Sequence, residues 1–180
     1  AMADAVEAIC RRIESAEGAR EIVIVAHSMG AIAALLFLKR YPARKIGVAA
    51  IAPLLFGVPV DASPEALAED EEHRDRIRAD SRFAASMPSA LAADLDRAVK
   101  DMLSDPSFLE GRKAAFFAGE ADPLVPFEKL KEVAASLPLK DRRFASFPRE
   151  RHDVAGGRHG AQVADAVKAW FDESRYELRV

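Results

Sequence analysis

The chain has 180 residues, a length that suits one domain built around a single apolar core. Half of the residues are hydrophobic, 31% are charged and the formal net charge is −3, so the composition argues against disorder and against a nucleic-acid-binding surface. One cysteine, Cys10, excludes an internal disulfide and favours a reducing compartment. We expect a cytoplasmic protein, because no apolar run reaches the ~18 residues that cross a bilayer and no secretory signal is evident.

The first predicted element is an amphipathic helix. Residues 4–17 place apolar side chains at helical spacing, with Asp4 as the expected cap and Gly18 at the expected end. Cys10 falls in line with other apolar residues of this stretch, which indicates core packing. These residues are Val6, Ile9 and Ile13.

A strand, a turn, a second helix and a second strand are predicted next. Residues 22–26, "IVIVA", are continuously apolar and β-branched, which is typical of a parallel strand covered on both faces. A turn with Ser28 leads into a helix over 30–40, which Pro42 ends. The stretch "KIGVAAIAP" then predicts a buried strand, so helix and strand alternate as in an open α/β sheet.

Residues 56–112 interrupt this alternation and predict a helical insertion. The segment is polar and charged, with Ser63 and Pro64 as a plausible cap and first-turn pair. Its charge run "EDEEHRDR" is typical of a solvated helix face. One apolar stripe at helical spacing is predicted further along. It consists of Leu91, Leu95, Val99 and Met102.

The alternation then resumes to the end of the chain. "KAAFFAG" predicts a strand, "EADPLVP" a loop, and a helix follows from Phe127 to a point before Pro138. "RRFASF" predicts the last strand, and the loop "PRERHDVAGGRHG" leads to a closing amphipathic helix. The apolar face of that helix comprises Val163, Val167, Trp170 and Phe171. The whole chain is therefore predicted to form one α/β domain.

The stretch "AHSMG" places Ser28 between the first strand and the second helix, where a sharp turn exposes a nucleophile. Such a turn needs small residues two positions before and after the serine, here Ala26 and Gly30. The N–H of Met29, at the start of the helix, is the expected donor to an oxyanion. The alternative is an ordinary serine that caps a helix.

A serine nucleophile requires a base and a carboxylate that orients the base. Asp122 follows the strand "KAAFFAG" at the carboxyl end of the predicted sheet, and His152 lies in the loop after the last strand. The order Ser, Asp, His along the chain fits one fold family. Glu120 is the alternative carboxylate, and Asp122 before a proline is also explained by an ordinary turn.

Three further histidines are alternative candidates for the base. His159 lies seven residues later and His73 lies in the insertion. His27 is next to the serine, but we expect its side chain to point elsewhere because adjacent strand residues face opposite ways.

With these residues, the sequence resembles the α/β-hydrolase superfamily, in particular its monoacylglycerol lipase, lysophospholipase and serine aminopeptidase-like group. The resemblance spans nearly the whole chain through "AHSMGAIAALLFLKRYP", "GVAAIAP", "FFAGEADPLVP" and "FPRERHDV". It implies that Ser28 is the nucleophile, Asp122 the orienting acid and His152 the base. It also implies that the helical insertion is a cap that shapes an acyl or acyl-glycerol pocket.

In that group several strands and a helix precede the nucleophile, and one of their loops supplies the second oxyanion donor. The sequence resembles only the C-terminal two-thirds of such a hydrolase, so we expect a truncated sheet. An uncovered apolar strand at residues 22–26 is an aggregation hazard. We therefore expect a partner chain to cover it, either an identical copy in a homo-oligomer or a separate N-terminal fragment.

The sequence thus favours a serine carboxylester hydrolase that acts on small acyl esters or monoacylglycerol-like lipids. One alternative is a catalytically silent or incomplete hydrolase-like module, and another is a peptidase or amidase of the same fold. We expect no metal and no cofactor, since the sequence has no Cys/His metal spacing and no phosphate-binding glycine loop. We expect no nucleic-acid partner.

Overall fold

The computed structural model describes residues 2–18, 22–56 and 62–176. Within these ranges the strands are β1 (Val23–His27), β2 (Gly47–Ile51), β3 (Lys113–Gly119) and β4 (Asp141–Phe147). The helices are α1 (Met2–Glu17), α2 (Met29–Arg40), α3 (Pro64–Leu67), α4 (Glu71–Ala79), α5 (Ser89–Ser104), α6 (Phe127–Ser136) and α7 (Gly160–Tyr176), with a 3₁₀ turn at Pro106–Leu109. No helix in these ranges has the length and apolar character needed to cross a bilayer.

The four described strands form one parallel sheet in the order β1-β2-β3-β4. Each crossover between neighbouring strands carries at least one helix, as parallel pairing requires. The last residues of the strands lie in register, with His27 opposite Ile51 and Gly119 opposite Phe147. The loops that follow β1, β3 and β4 therefore leave the sheet at the same edge. The predicted α/β class and parallel sheet are confirmed.

Helices cover the sheet on both faces, and each face has its own core. Alternate residues of β3 explain this division, because side chains of a strand point in turn to opposite faces. Phe116 packs with residues of α1, α2, α5 and α6, whereas Phe117 packs with Val163 and Trp170 of α7. All four of these side chains are buried. The expected two-sided arrangement of helices is confirmed.

Strand β1 is less well covered than its sequence predicts. In the described sheet it pairs with β2 alone, so its outer edge has no neighbouring strand there. Val25 is 56% exposed, although Ala26 beside it is buried. The expectation of a strand covered on both faces is therefore wrong at Val25, because α7 covers β1 only in part. An open apolar cavity of about 550 Å³ lies between β1 and α7.

Helix α1 packs against α2 through a narrower face than its apolar residues predict. Cys10 is 3% exposed in the core, so its predicted packing is confirmed. Ile9 and Ile13 are 59% and 38% exposed, and their predicted burial is wrong. Asp4 does not cap the helix, which begins at Met2. Its carboxylate instead accepts a 2.7 Å hydrogen bond from the Tyr41 hydroxyl.

The described part of the segment between β2 and β3 is helical, but its helices have different surroundings. Leu95, Val99 and Met102 of α5 are buried in the core that contains α2. Leu91, which was predicted in the same stripe, is 42% exposed. Helix α4 carries most of the charge run, yet His73 in that run is only 3% exposed. The run is therefore not a fully solvated face.

Candidate active site

The turn between β1 and α2 holds Ser28 in a strained backbone conformation. Its φ is 54° and its ψ is −120°. Residues other than glycine rarely adopt this backbone conformation, which costs roughly 1–3 kcal/mol. The Ser28 N–H donates to the Ile51 carbonyl over 2.8 Å, and the Ser28 carbonyl accepts from the Ala31 N–H over 3.1 Å. Strand β2 and the first turn of α2 thus hold the residue at the sheet edge.

The side chain of Ser28 does not cap α2. The residue is in the capping position, but its side chain makes no cap hydrogen bond. Its Oγ instead lies 2.7 Å from His152 Nε2, in the loop after β4. The alternative that Ser28 is an ordinary helix-capping serine is therefore not supported by its contacts.

Asp122 uses its two carboxylate oxygens for different purposes. Oδ2 lies 2.9 Å from His152 Nδ1. Oδ1 accepts the N–H groups of Leu124 and Val125 over 2.8 and 3.1 Å, which forms the turn that an aspartate before proline predicts. The turn and the contact with His152 are therefore compatible, because the backbone donors hold the carboxylate in place for the imidazole.

The hydrogen bonds define the tautomer of His152. A carboxylate only accepts, so Nδ1 carries the proton that is donated to Asp122, and the free Nε2 accepts the Ser28 hydroxyl. The side chains of His152 and Asp122 are 3% and 1% exposed. Water competes little for these contacts, which strengthens them. Chemically, such an arrangement is able to accept a proton from a serine hydroxyl and to stabilise the imidazolium that results.

The alternative residues of the sequence lie elsewhere. Glu120 is exposed and accepts the Ser146 hydroxyl over 2.7 Å. His159 Nδ1 contacts Glu150 over 2.6 Å, and His73 Nε2 contacts Asp153 over 2.9 Å. None of these three alternatives contacts Ser28 in the described residues.

His27 lies nearer to the site than the alternation of a strand predicts. Its Nε2 lies 3.1 Å from the carbonyl oxygen of His152, and the two rings are 5.3 Å apart. Removal of water by the surrounding protein atoms lowers the pKa of His27, although the residue as a whole remains exposed. A neutral His27 ring therefore donates its Nε2 proton to the backbone of His152.

The small size of the residues two positions before and after Ser28 has a structural reason at Ala26 but not at Gly30. Ala26 is 6% exposed and packs in the core, so its size matters. At Gly30, a Cβ atom would meet nothing within 4 Å, so the described surroundings do not require a glycine there. Met29 is the first residue of α2, and its N–H has no acceptor within the helix.

The loop after β4, residues 148–159, carries two acidic residues that sequence reasoning did not single out. We call it the histidine loop. Glu150 is 2% exposed and pairs with His159, and Asp153 pairs with His73. A charged loop residue is normally solvated, so neither pairing was predicted. The sequence signal for such pairings was the presence of acidic residues on both sides of the histidine in "ERHD".

A cleft of about 560 Å³ lies beside the histidine loop. His27 and Asp153, the sequence neighbours of Ser28 and His152, are among its lining residues, and α4 supplies Arg76 and Ile77. In the part of the chain that the structure describes, no cluster of three or more His, Cys, Asp or Glu side chains is placed to hold a metal ion.

Proteins of known structure resemble this chain at low sequence identity. A search of curated proteins gave no match. Among solved structures, the monoacylglycerol lipase of Paleococcus ferrophilus is 16% identical with a TM-score of 0.78, over 94% of this chain and 74% of that one. A soluble variant of monoglyceride lipase from Saccharomyces cerevisiae is 13% identical with a TM-score of 0.75, over 97% of this chain and 66% of that one.

A third similar structure is 2-hydroxy-6-oxo-6-phenylhexa-2,4-dienoate hydrolase from Rhodococcus sp. strain RHA1. It is 18% identical with a TM-score of 0.61, over 89% of this chain and 67% of that one. The four-stranded sheet is thus truncated relative to these longer proteins. The sequence pattern of the alpha/beta hydrolase family matches residues 1–172. This match covers nearly the whole sequence, and it shows that the chain belongs to the alpha/beta hydrolase family.

Proposed function

We propose that the protein is a serine carboxylester hydrolase that cleaves small acyl esters or monoacylglycerol-like lipids through an acyl-enzyme. One observation carries the proposal: the hydrogen-bonded chain from Ser28 Oγ through His152 to Asp122, with contacts of 2.7 and 2.9 Å. The lipases and esterases among the similar structures favour an ester substrate.

In the first half of the reaction, His152 Nε2 removes the Ser28 hydroxyl proton as Oγ attacks the ester carbonyl carbon. The tetrahedral intermediate then collapses, and the bond from carbon to the alcohol oxygen breaks. The protonated His152 gives its proton to that oxygen, so the alcohol leaves neutral. Asp122 keeps the ring in the required tautomer and stabilises its positive charge.

In the second half, water replaces the alcohol. His152 removes a proton from the water while its oxygen attacks the acyl carbon. The bond to Ser28 Oγ then breaks, and the proton on Nε2 returns to Oγ. The products are one carboxylic acid and one alcohol for each ester and water consumed, and the enzyme is regenerated.

The negative oxygen of each intermediate needs donors that are already in position. The Met29 N–H is the first donor in this proposal, because it lies at the amino end of α2 and has no helical acceptor. The positive end of the helix dipole adds to this effect. Loss of one such donor costs about 10²–10³ in turnover, so the second donor expected from a partner chain would matter for the rate.

The first test is covalent labelling by a fluorophosphonate probe, followed by intact-mass spectrometry. We expect one probe per chain in the wild type and none in Ser28→Ala, with an esterase turnover lower by about 10⁶-fold. Ser104→Ala is the matched control, because the Ser104 hydroxyl makes an ordinary hydrogen bond to Asp101 in an exposed helix end. Esterase activity that survives Ser28→Ala contradicts the proposal.

A substrate panel separates the remaining alternatives. Short p-nitrophenyl esters should be cleaved much faster than aminoacyl amides if the enzyme is an esterase. The reverse order would indicate the peptidase or amidase alternative. A folded wild type that neither labels nor cleaves any substrate would indicate the silent or incomplete module.

The partner chain along β1 stays a prediction. The open edge of the described sheet and the 56% exposure of Val25 support it. Native mass spectrometry tests it, and Val25→Lys is the matched variant because it places a charge in the middle of the exposed strand. A mass of two chains that returns to one chain in Val25→Lys supports an identical copy. A monomer at all concentrations contradicts the identical copy.

A further inference from the structure

The histidine loop is held from outside by the α3–α4 segment, which we define as residues 63–79. The Asp153 N–H donates to the Leu67 carbonyl over 2.8 Å. The guanidinium of Arg76 donates to the Gly156 carbonyl over 3.0 Å. Two further links are made by arginines of the loop. They join Arg151 to the Glu65 carbonyl and Arg158 to the Glu69 carboxylate. The loop that carries His152 therefore depends on a segment far away in the sequence.

The chain has four histidines, and all of them contact the four residues from Glu150 to Asp153 or belong to them. His27 binds the backbone of His152, and His159 binds the side chain of Glu150. His73 binds Asp153 from the α3–α4 segment. The residues from Glu150 to Asp153 thus take part in three carboxylate–histidine pairs, and the pair of His152 and Asp122 is the one that contacts Ser28.

The pair of His73 and Asp153 is the most buried of the side-chain links between the α3–α4 segment and the loop. The side chain of His73 is 4% exposed and that of Asp153 is 28% exposed. His73 Nδ1 is buried and makes no hydrogen bond within the described residues, so the ring has Asp153 as its polar partner there. A buried polar group that lost this partner would carry a desolvation cost.

Gly156 shows how closely the backbone approaches this pair. A Cβ atom at this position would overlap Asp153 Oδ2 and would lie 2.8 Å from His73 Nε2. The backbone of the loop therefore folds over the pair and is compatible with it only without a side chain at position 156. The Gly156 N–H also donates to Asp153 Oδ1 over 3.1 Å. The pair is thus part of the conformation of the loop.

We propose that His73 is a positioning residue of the hydrolase site: through Asp153 it fixes the histidine loop, so that the α3–α4 segment sets the position of His152 relative to Ser28. This inference rests on the proposed function. His73 does not touch the reacting atoms. It acts because Asp153 directly follows His152 in the chain, so a shift of Asp153 moves the base.

The physical consequence is a dependence of the chemical step on α4. A displacement of a catalytic group by about 1 Å costs on the order of 10²-fold in rate. The contact between His152 Nε2 and Ser28 Oγ, at 2.7 Å, is the one that such a shift would lengthen. Substrate affinity would change little, because Ser28 and the Met29 N–H, which contact the ester in the proposed mechanism, belong to the turn between β1 and α2 and not to the histidine loop.

The test compares four variants in the full chain. His73→Leu removes the donor, and His73→Gln keeps an N–H near the position of Nε2. Gly156→Ala disturbs the pair without removing either side chain. Arg78→Gln is the control, because Arg78 joins Glu65, Glu71 and Asp75 within the α3–α4 segment and makes no contact with the loop among the described residues. Fluorophosphonate labelling rates, kcat and KM are measured for each.

We expect His73→Leu and Gly156→Ala to lower the labelling rate and kcat by about 10-fold or more with KM unchanged. His73→Gln and Arg78→Gln should remain within about 3-fold of the wild type. The inference is overturned if His73→Leu labels at the wild-type rate, or if either His73→Gln or Arg78→Gln is as slow as His73→Leu.

Hydrogen exchange of residues 148–158 makes this result independent of the proposed function. We expect faster amide exchange in this peptide for His73→Leu and Gly156→Ala, but not for His73→Gln. A wild type that never labels would refute the proposed function, and the exchange data would still decide whether His73 holds the loop. Unchanged exchange in His73→Leu overturns the inference in either case.

Discussion

Strands β1 and β3 carry similar apolar sequences, yet they are buried to different extents. Six of the seven residues of β3 are buried, whereas β1 has one buried residue in five. The difference arises because β3 has a strand on each side and helices over both faces, while β1 has one described neighbour and partial cover from α7. Ser28 therefore follows the less protected strand, and Asp122 follows the protected one.

The two halves of the site are therefore held by different means. Asp122 is held by a buried strand and by two backbone N–H groups of its own turn. Ser28 is held by the backbone geometry of its turn and by backbone hydrogen bonds to β2 and to the first turn of α2. Substitutions that crowd the backbone at the end of β3 should therefore destabilise the fold more than equivalent substitutions after β1.

At the end of β3, the largest expected effect on activity is that of Asp122→Asn. The amide would favour the wrong tautomer of His152, and we expect kcat to fall by about 10⁴-fold. The matched control is Glu120→Gln in the same loop, since Glu120 is exposed and binds Ser146 rather than His152. Steady-state esterase assays measure both. A control as impaired as Asp122→Asn would show that the loop, and not the tautomer, is responsible.

A pair of glycine substitutions gives an intermediate effect. A Cβ atom at Gly119, the last residue of β3, would overlap the carbonyl oxygens of Glu150 and Arg151. We expect Gly119→Ala to lower the free energy of unfolding by about 1–3 kcal/mol and to displace the histidine loop. Gly30→Ala, after β1, should be neutral or stabilising by up to about 1 kcal/mol, because the position is helical and unobstructed. Denaturant unfolding compares them, and equal losses would contradict the difference between the two strand ends.

The smallest expected effect concerns pH and His27, the last residue of β1. Its pKa in the folded protein is lower than the ordinary value of about 6.5, so the unfolded chain binds the proton more readily. Stability from a neutral His27 is fully present above about pH 6.5 and is lost as the pH falls through the folded-state pKa. His27→Gln, which does not titrate, should therefore show a weaker fall of the thermal midpoint below that pH. Identical profiles for the two proteins would contradict this.

Most of the element order was predictable from the sequence. The strand at 113–119 and the start of α6 at Phe127 were predicted at the observed residues. A continuous apolar run marks the strand, and Pro126 and Pro138 lie on either side of the helix. The start of α1 was not predicted correctly, since Asp4 has the residue type of a helix cap but binds Tyr41 instead. That partner lies 37 residues away, and local pattern contains no information about it.

The candidate site was predictable in part. The sequence named Ser28, Asp122 and His152, and the structure brings their side chains within hydrogen-bond distance. The chemical roles assigned to them, and to the Met29 N–H, stay predictions. Sequence reasoning missed the supporting pairs, because Glu150, Asp153 and His73 lie in charged stretches that are usually solvated.

The sequence by itself determined the alternation of strands and helices, the sharp turn at Ser28 and the order of serine, aspartate and histidine along the chain. These features follow from the period of apolar residues and from turn chemistry, which act over a few neighbouring residues. Only the tertiary structure decided that Val25 is exposed, that His73 is buried and that Asp153 is its partner. Burial and pairing depend on which distant segments pack together, and the free energy of a polar contact is set by the water that this packing removes.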